Sequence, residues 1–464
     1  MSKKQSVFDF GTTAYLGSSS SFVSFEKDTG FLDDTRDSKV PVTPQNIKKE
    51  IEFVFYGKTN KLPIEILDKA HGNITVASNI DFNARIAYGD GLMVAKKIKK
   101  EGKITYEELL PSDAPEIFEF LENNNVMRIL QEAGNDLVTF ADAFIELIVD
   151  RNAKEKIVVV RHKETAFSRL SLQDEKTGKI EYHGYSSKWG DGELDDVVAT
   201  PFLNRNAPLY DLKKRLGRLP DERTGTFKKT KEKRFILSLG LPVPGRFYYN
   251  KPWWWSIFKA GWYDFSCAMP IFKQSLIENK MKILYEVKIN ETFWAKLYQS
   301  EGITDPKKQA ERKLQFLKEM DDFLAGKENA GKSFVSHFRY DQVKGFEIHD
   351  IIIKEIKSDH DGGEYNDDVE EASNIISYAM GVHPSLQGAT PGKSKNINGT
   401  EARELFIIKQ AMTKPLRDAL LLFLYVCKAI NEWDKDIHFI IPNIMLTTLD
   451  KNTGSEKNIG NEKI

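Results

Sequence analysis

Gly326, Gly331, Lys332 and Ser333 stand at the spacing G-x-x-x-x-G-K-S. In a phosphate-binding loop of that form, backbone N–H groups cradle the phosphates, the lysine reaches the outer ones and the hydroxyl meets magnesium. The chemistry also needs a buried strand before the glycines and a helix after them, so that the helix N-terminus faces the phosphates. Here the order is reversed: a charged amphipathic pattern precedes, and the strand-like run 334–340 follows. No run of four apolar residues ending in paired acids is present to hold the magnesium. The stretch GATPGKS at 388–394 is one residue short of the same pattern.

Other chemistry finds no better footing. The eight histidines are scattered, and neither H-E-x-x-H nor paired C-x-x-C occurs. Asp359, His360 and Asp361 could touch a cation, but their loop lacks the EF-hand spacing and reads as a solvated acidic turn. No G-x-S-x-G elbow presents a nucleophile. The residues therefore predict no enzyme, no metal site and no cofactor.

Two groups suggest contact chemistry instead. Trp253, Trp254 and Trp255 could stack on single-stranded nucleic acid or anchor a subunit interface. At the start of an amphipathic helix, burial is the favoured reading. Lys393 and Lys395 sit in a Gly-, Pro-, Ser- and Asn-punctuated loop with Asn396 and Asn398. In a cyclic ring each lysine becomes a belt of charge able to touch passing phosphates without sequence preference.

The flanking elements position that loop. Asn366 caps a helix with Asp367, Asp368, Glu370 and Glu371 in its first turn, complementing the macrodipole. Val369, Ala372, Ile376, Ala379 and Met380 give it an apolar stripe, and Gly381 with His383-Pro384 ends it. Asn398 and Glu401 form a capping box for one long helix to Asn431, kinked at Pro415. Trp254, Ile257, Phe258, Trp262, Phe265, Phe272 and Leu276 recur at helical spacing over 252–279, where Pro270 predicts a kink or split.

Upstream, Thr43-Pro44 predicts a helix to about Tyr56, with further helices at 62–70, 75–88, 113–122 and 125–140. The period then changes. Runs 143–150 and 156–162 read as a hairpin, 167–172 and 179–185 as a second pair, 186–232 as irregular and locally basic, and 234–239 as a strand. Strands follow at 282–289, 334–340 and 345–356, with a helix from Asp305-Pro306 to about Leu324. A last strand at 436–445 is interrupted by Pro442, which suits an edge or a return to the earlier sheet.

Composition bounds the class. The chain has 464 residues, a formal charge of -1 and 29% charged residues, so no global basic surplus announces a nucleic-acid binder. Two cysteines, Cys267 and Cys427, both within predicted helices, argue for a reducing compartment. Residues 1–17 lack the apolar core of a signal peptide, and the longest apolar run, 419–426, is too short for a bilayer. A soluble, cytosol-made protein is expected.

The run SNIISYAMGVHPSLQGATPGKSKNINGTEARELFIIKQAMTKPLRDALLLFLYVCKAIN, 373–431, resembles the channel-proximal half of a tailed-bacteriophage portal protein. In that family a stem helix ends at a VPP-like turn, here Val382-His383-Pro384, before a tunnel loop and a long kinked helix. The run AGNDLVTFADAFIELIVDRNAKEKIVVVRHKETAFSRL, 133–170, resembles the portal wing, with Ala141 near the family's usual glycine. Tyr248-Tyr249-Asn250-Lys251-Pro252-Trp253 resembles the family's entry into its first stem helix.

The resemblance implies an α+β, portal-like architecture. Its parts would be a flexible N-terminal arm (1–42), a wing of helices and antiparallel sheet (43–250), a first stem helix (251–280) and a small α/β clip (281–356). A second stem helix (365–384), tunnel loop (385–400), long kinked helix (401–431) and C-terminal strand with a disordered tail (432–464) would follow, with a crown short or absent. By the same resemblance Lys393, Lys395, Asn396 and Asn398 line a DNA channel, and Trp254, Ile257, Phe258, Trp262, Phe265 and Phe272 form the stem and oligomer interface. Lys288, Lys307, Lys308 and Arg312 on the clip would meet the motor and adaptor.

The implied protein is a subunit of a homo-oligomeric ring, usually a dodecamer, at one capsid vertex of a virion, assembled in the host cytoplasm. Its partners would be double-stranded DNA, the large terminase subunit, a head-completion or tail adaptor, and the major capsid and scaffold proteins, with no membrane. Two alternatives stand beside it. A packaging ATPase would use the stretch Gly326 to Ser333 and lose hydrolysis in Lys332→Ala. A non-portal capsid or scaffold protein would form shells or monomers in place of rings.

Overall fold

The computed structural model describes residues 7–9, 13–16, 21–24, 38–100, 103–152, 155–190, 194–221, 225–245, 247–280, 285–325, 338–341, 346–355, 366–386 and 399–444. The chain forms two compact units, one from Met1–Cys267 with Asp368–Ile464 and one from Ala268–Asp367. Both mix helices with antiparallel strands.

The described part of the N-terminal segment pairs as a meander of β1 (Val7–Asp9), β2 (Thr13–Leu16) and β3 (Ser21–Ser24). Its register sets Phe8 opposite Tyr15 and Tyr15 opposite Phe22. The helix expected from Thr43 to Tyr56 is absent. Instead β4 (Lys39–Val42) pairs with β5 (Ile51–Val54), because Ile51, Phe53 and Val54 gain burial as a strand while residues 45–50 carry no apolar stripe.

Helices α1 (Leu62–His71) and α2 (Ile74–Tyr88) follow, and the Asn73 side chain caps α2 by accepting from the Val76 N–H. The ribbon β6 (Met93–Lys100) and β7 (Lys103–Glu108) had no expected counterpart in the sequence. Next come α3 (Pro115–Asn123) and α4 (Val126–Phe140), whose Val126, Ile129, Leu130, Ala133, Leu137 and Phe140 form one buried stripe.

The predicted hairpin is present as β8 (Phe144–Val149) and β9 (Ile157–Lys163). β10 (Ser168–Leu170) and β11 (Tyr182–Tyr185) make the second pair. Within 186–232, read as irregular, lie β12 (Val198–Pro201), which pairs with β11, and α5 (Pro208–Arg215), opened by its proline. Strand β13 (Arg234–Ser238) pairs with β8, which is thus central to β13-β8-β9. That central place explains the near-continuous apolar run of β8.

The helix expected over 252–279 is divided. A 3-10 turn at Trp253–Trp255 leads into α6 (Ser256–Lys259), and α7 (Trp262–Lys280) begins anew. The break falls at Gly261, with φ of 81°, a left-handed backbone that disfavours other residues; Pro270 lies inside α7. In the second unit β14 (Tyr285–Ile289) pairs with the later strand Ile351–Glu355, and α8 (Glu291–Ser300), not anticipated, precedes α9 (Pro306–Ala325). β15 (Phe338–Asp341) pairs with β16 (Phe346–His349), and β17 (Ile351–Glu355) completes the unit.

The first unit resumes with α10 (Asn366–Ala379), α11 (Gly399–Met412), α12 (Lys414–Asn431) and β18 (Ile437–Ile440). β18 lies at the edge of β18-β6-β7. The main core joins α3, α4, β8, β9, β13, α12 and β18, with Leu420, Phe423, Leu424, Cys427 and Ile430 of α12 fully enclosed. A second core gathers α1, β5, the tryptophan turn, α6 and α10.

Candidate functional site

The loop bearing Lys393, Lys395, Asn396 and Asn398 lies outside the described residues, but the elements that deliver it do not. α10 docks on α2 through polar pairs: Asn79 donates to Ser377 Oγ at 3.2 Å, Asn83 to the Met380 carbonyl at 3.1 Å, and Thr75 meets Ser373 at 3.3 Å. Beyond α10, Lys409 of α11 donates to the Gly381 carbonyl at 2.8 Å, satisfying a helix-end acceptor. Burial depresses the Lys409 ammonium to a pKa of about 8.

The long helix expected to Asn431 is two. At Thr413 the chain leaves α11, its N–H shared between the Lys409 and Gln410 carbonyls, and α12 restarts with Pro415 in its first turn. A proline has no N–H to continue the ladder, so a break replaces the kink. α11 is thinly packed for so apolar a helix: Ile407, Ile408 and Met412 are 51%, 56% and 68% exposed, and only Gln410 is buried. Gln410 makes two hydrogen bonds to the Ile444 backbone, at 2.8 and 3.0 Å.

Arg417 fixes α12. Its guanidinium donates to the carbonyls of Ile86 at 2.8 Å and Ala87 at 3.2 Å, the last turn of α2, and reaches Asn443 at 2.5 Å. Gly89 makes room, since a Cβ there would stand 2.9 Å from the guanidinium and 2.8 Å from the Pro442 carbonyl. The sequence reading missed this residue. With one helix expected through to Asn431, Arg417 stood mid-helix; only the restart at Lys414 puts this cation in a first turn, against the macrodipole.

The tryptophan entry is built into the chain's own interior. α4 ends with carbonyls that lack helical partners; the Trp254 indole donates to Val138 O at 3.0 Å and the Trp255 indole to Thr139 O at 3.1 Å. Tyr56 and Tyr249 stack with centroids 4.2 Å apart just upstream, and the Tyr249 hydroxyl bridges the Leu170 N–H and the Val54 carbonyl. Of the residues expected at an oligomer interface, Trp254, Ile257 and Phe258 are therefore core residues, at 7%, 2% and 2% exposure. Phe272 is also buried, Trp262 is partly covered, and Phe265 is open. Trp253, at 73% exposure, is the tryptophan left facing outward. Helical spacing reports that a face is buried and is silent on whether the cover comes from the same chain.

No family model matches the chain, and no curated protein does. Solved structures match along most of its length. One neighbour, in the virion of a native gene transfer agent particle, aligns with a TM-score of 0.50 at 12% identity, covering 83% of this chain and 84% of that one. A chain in the neck of the empty particle, computed with C6 symmetry, gives 0.51 at 12% identity over 83% and 85%. A chain in the neck of the native particle, computed with C12 symmetry, gives 0.51 at 12% identity over 87% and 86%.

This chain shares its fold with a chain of a gene transfer agent neck.

Within that fold several titratable groups are buried and paired with one another. His162, enclosed, meets Asp136 at 3.0 Å and Glu132 at 3.7 Å. Burial works against its charge, but Asp136, Glu164 and Glu132 outweigh it and raise its pKa. His183 is buried against the Phe144 ring at 4.9 Å, and burial, with Lys163 nearby, lowers it to about 3. Asp142 is fully buried, and desolvation raises its pKa although Arg205 stands at 3.1 Å and Ser238 at 3.2 Å. An open cleft of about 830 Å³ includes Arg205, Arg215, Ser238 and Asn250, but each is already engaged. Ser238 donates to Asp142, Arg205 to Asp142 and the Phe247 carbonyl, Arg215 to Asp211 and the Phe202 carbonyl, and Asn250 to the Ala141 carbonyl. Among the described residues no three His, Cys, Asp or Glu are grouped to hold a metal ion, and no described helix is long and apolar enough to cross a membrane.

The stretch Gly326 to Ser333 lies outside the described residues, yet its nearest described neighbours are α9 before it and β15 after it. That is the reverse of the strand-loop-helix a phosphate loop requires. In the same unit Lys288, Lys307 and Lys308 are exposed. Arg312 is engaged internally, with Glu301 at 2.9 Å and Glu319 at 3.6 Å, and so braces α8 against α9.

Proposed function

We propose that this chain is a portal subunit, forming a ring at one capsid vertex of a tailed-phage-like particle. The likeness to necks of a virus-like particle over more than four fifths of the chain carries the reading. The order of elements supports it: a strand, two helices and three strands separate α7 from α10, as a clip separates two stem helices. A dodecamer is the expected state, in keeping with the C12 symmetry of one neighbour. The ring would pass double-stranded DNA for packaging and ejection. The second unit would dock the terminase motor and the head-tail adaptor through Lys288, Lys307 and Lys308, and capsid and scaffold proteins would meet the outer rim. The open apolar face of α11, Ile407, Ile408 and Met412, would pack on a neighbouring copy.

Negative-stain electron microscopy of the purified protein, with mass in solution, is the test. Rings with an axial hole are expected; closed shells would overturn the proposal. The loop's share is tested separately. Replacing Lys393 and Lys395 with alanine should leave rings intact and change DNA packaging or retention; unchanged packaging and retention would remove the loop from the mechanism.

A further inference from the structure

The first turns of α7 and α10 border one small open pocket of the first unit. It holds about 300 Å³ and is lined by Ala260, Gly261, Trp262, Phe265, Asp368 and Glu371. Trp262 and Phe265 stand three residues apart on α7, and Asp368 and Glu371 three apart on α10, so each pair shares a helix face. The two rings meet edge to face, with centroids 6.0 Å apart and planes at 87°, and Phe265 is open to solvent. They make two walls at right angles. Ala260 and Gly261, where α6 parts from α7, bring almost no side chain to the pocket, and a Cβ on Gly261 would meet nothing within 4 Å.

This lining decides what the pocket suits. The face of an aromatic ring is the negative end of its quadrupole and attracts a cation within about 6 Å of the centroid. The carboxylates add formal charge of the same sign, and more of it than α10 requires: Asp367, Asp368, Glu370 and Glu371 set four negative charges against a helix start worth roughly half a positive one. Asp368 and Glu371 make no ion pair among the described residues. A metal ion fits poorly, since calcium takes about six to eight oxygen ligands, aromatic walls supply none, and no three His, Cys, Asp or Glu are grouped among the described residues. An organic cation uses both halves of the lining. A planar guanidinium stacks on a ring while its forked N–H groups donate to carboxylates, which an ammonium point charge does less well. Two carboxylates one turn apart serve a single head group, so a polyamine would leave most of its charges outside.

We propose that this pocket is a binding cage for one arginine side chain presented by another protein chain, with Trp262 and Phe265 covering the faces of the guanidinium and Asp368 and Glu371 accepting from its N–H groups. The recognition needs one guanidinium and no particular assembly, so it stands apart from the portal reading.

Saturation-transfer difference NMR, which reads weak ligands on large proteins, tests this with the full-length protein and N-acetylargininamide as the probe. N-acetylcitrullinamide, of the same shape without the charge, is the control. Saturable transfer to the arginine probe is expected, with the citrulline compound bound roughly tenfold more weakly. Asp368→Asn with Glu371→Gln should weaken the arginine probe about tenfold. Phe265→Leu, which keeps an apolar side chain and removes the ring face, should weaken it roughly threefold. Tetramethylammonium chloride should displace the probe at concentrations where sodium chloride does not, because an organic cation sheds its water to reach the rings. No transfer to the arginine probe, equal binding of the citrulline compound, unchanged binding in the carboxylate variant, or equal displacement by sodium chloride overturns the proposal. So does spermidine displacing the probe below the probe's own dissociation constant, which would make a free polyamine the occupant. A silent arginine probe leaves the portal reading standing, and closed shells in the microscope leave this cage standing.

Discussion

Arg417 and Arg169 are buried cations that donate to backbone carbonyl oxygens. Arg169 is wholly buried, bonded to Asn60 and to the Ala166 and Ser168 carbonyls, and burial lowers its pKa to about 10. Arg417→Ala should cost roughly 2–4 kcal/mol, because it strips donors from buried acceptors at the end of α2, and Arg417→Lys should restore only part, having no planar fork. Chemical denaturation of the variants checks this; full rescue by lysine would show that charge alone suffices. The two buried histidines pull in opposite directions with pH. The folded pKa of His162 is raised, so its stabilisation is full below the ordinary value near ~6.5 and fades as pH rises through the folded one. The folded pKa of His183 is lowered to about 3, so its contribution is present above ~6.5 and is lost as pH falls toward 3. His183→Gln should therefore lose less stability between pH 7 and pH 5 than the wild type, and His162→Gln should lose more, read as denaturation midpoints at each pH.

At the scale of elements, the tryptophan turn ties α4 to α6. Trp254→Ala and Trp255→Ala should each cost about 3–5 kcal/mol, from lost burial and bare helix-end carbonyls. Trp253→Ala, at an exposed site, should stay within about 0.5 kcal/mol of wild type. Comparable losses at all three positions in a urea titration would refute the assignment. The interrupted helix α11–α12 follows a different logic. α12 is held by core burial and by Arg417, whereas α11 is held by Lys409, Gln410 and little apolar contact. Amide hydrogen exchange should therefore be faster along α11 than along α12.

For the whole molecule, the question is what covers α11. If a neighbouring copy does, Ile407→Asp with Met412→Asp should abolish rings and leave the monomer's denaturation midpoint nearly unchanged, since both side chains are exposed in one chain. Rings that survive the double variant would place the subunit contact elsewhere.

Much of this is legible in the amino-acid sequence. The helices α2, α3, α4, α9 and α10 and the β8–β9 hairpin follow from periodicity and caps, which are local properties of the chain. Tertiary structure decided the rest. The β4–β5 pair won over a helix because burial of Phe53 and Val54 outweighs a proline start signal, and α6 parted from α7 at one glycine torsion. Apolar spacing marked Trp254, Ile257 and Phe258 as buried, but only packing revealed that the cover is the chain's own α4 and its neighbours. Periodicity records that a face leaves water; it carries no information about which surface takes the water's place.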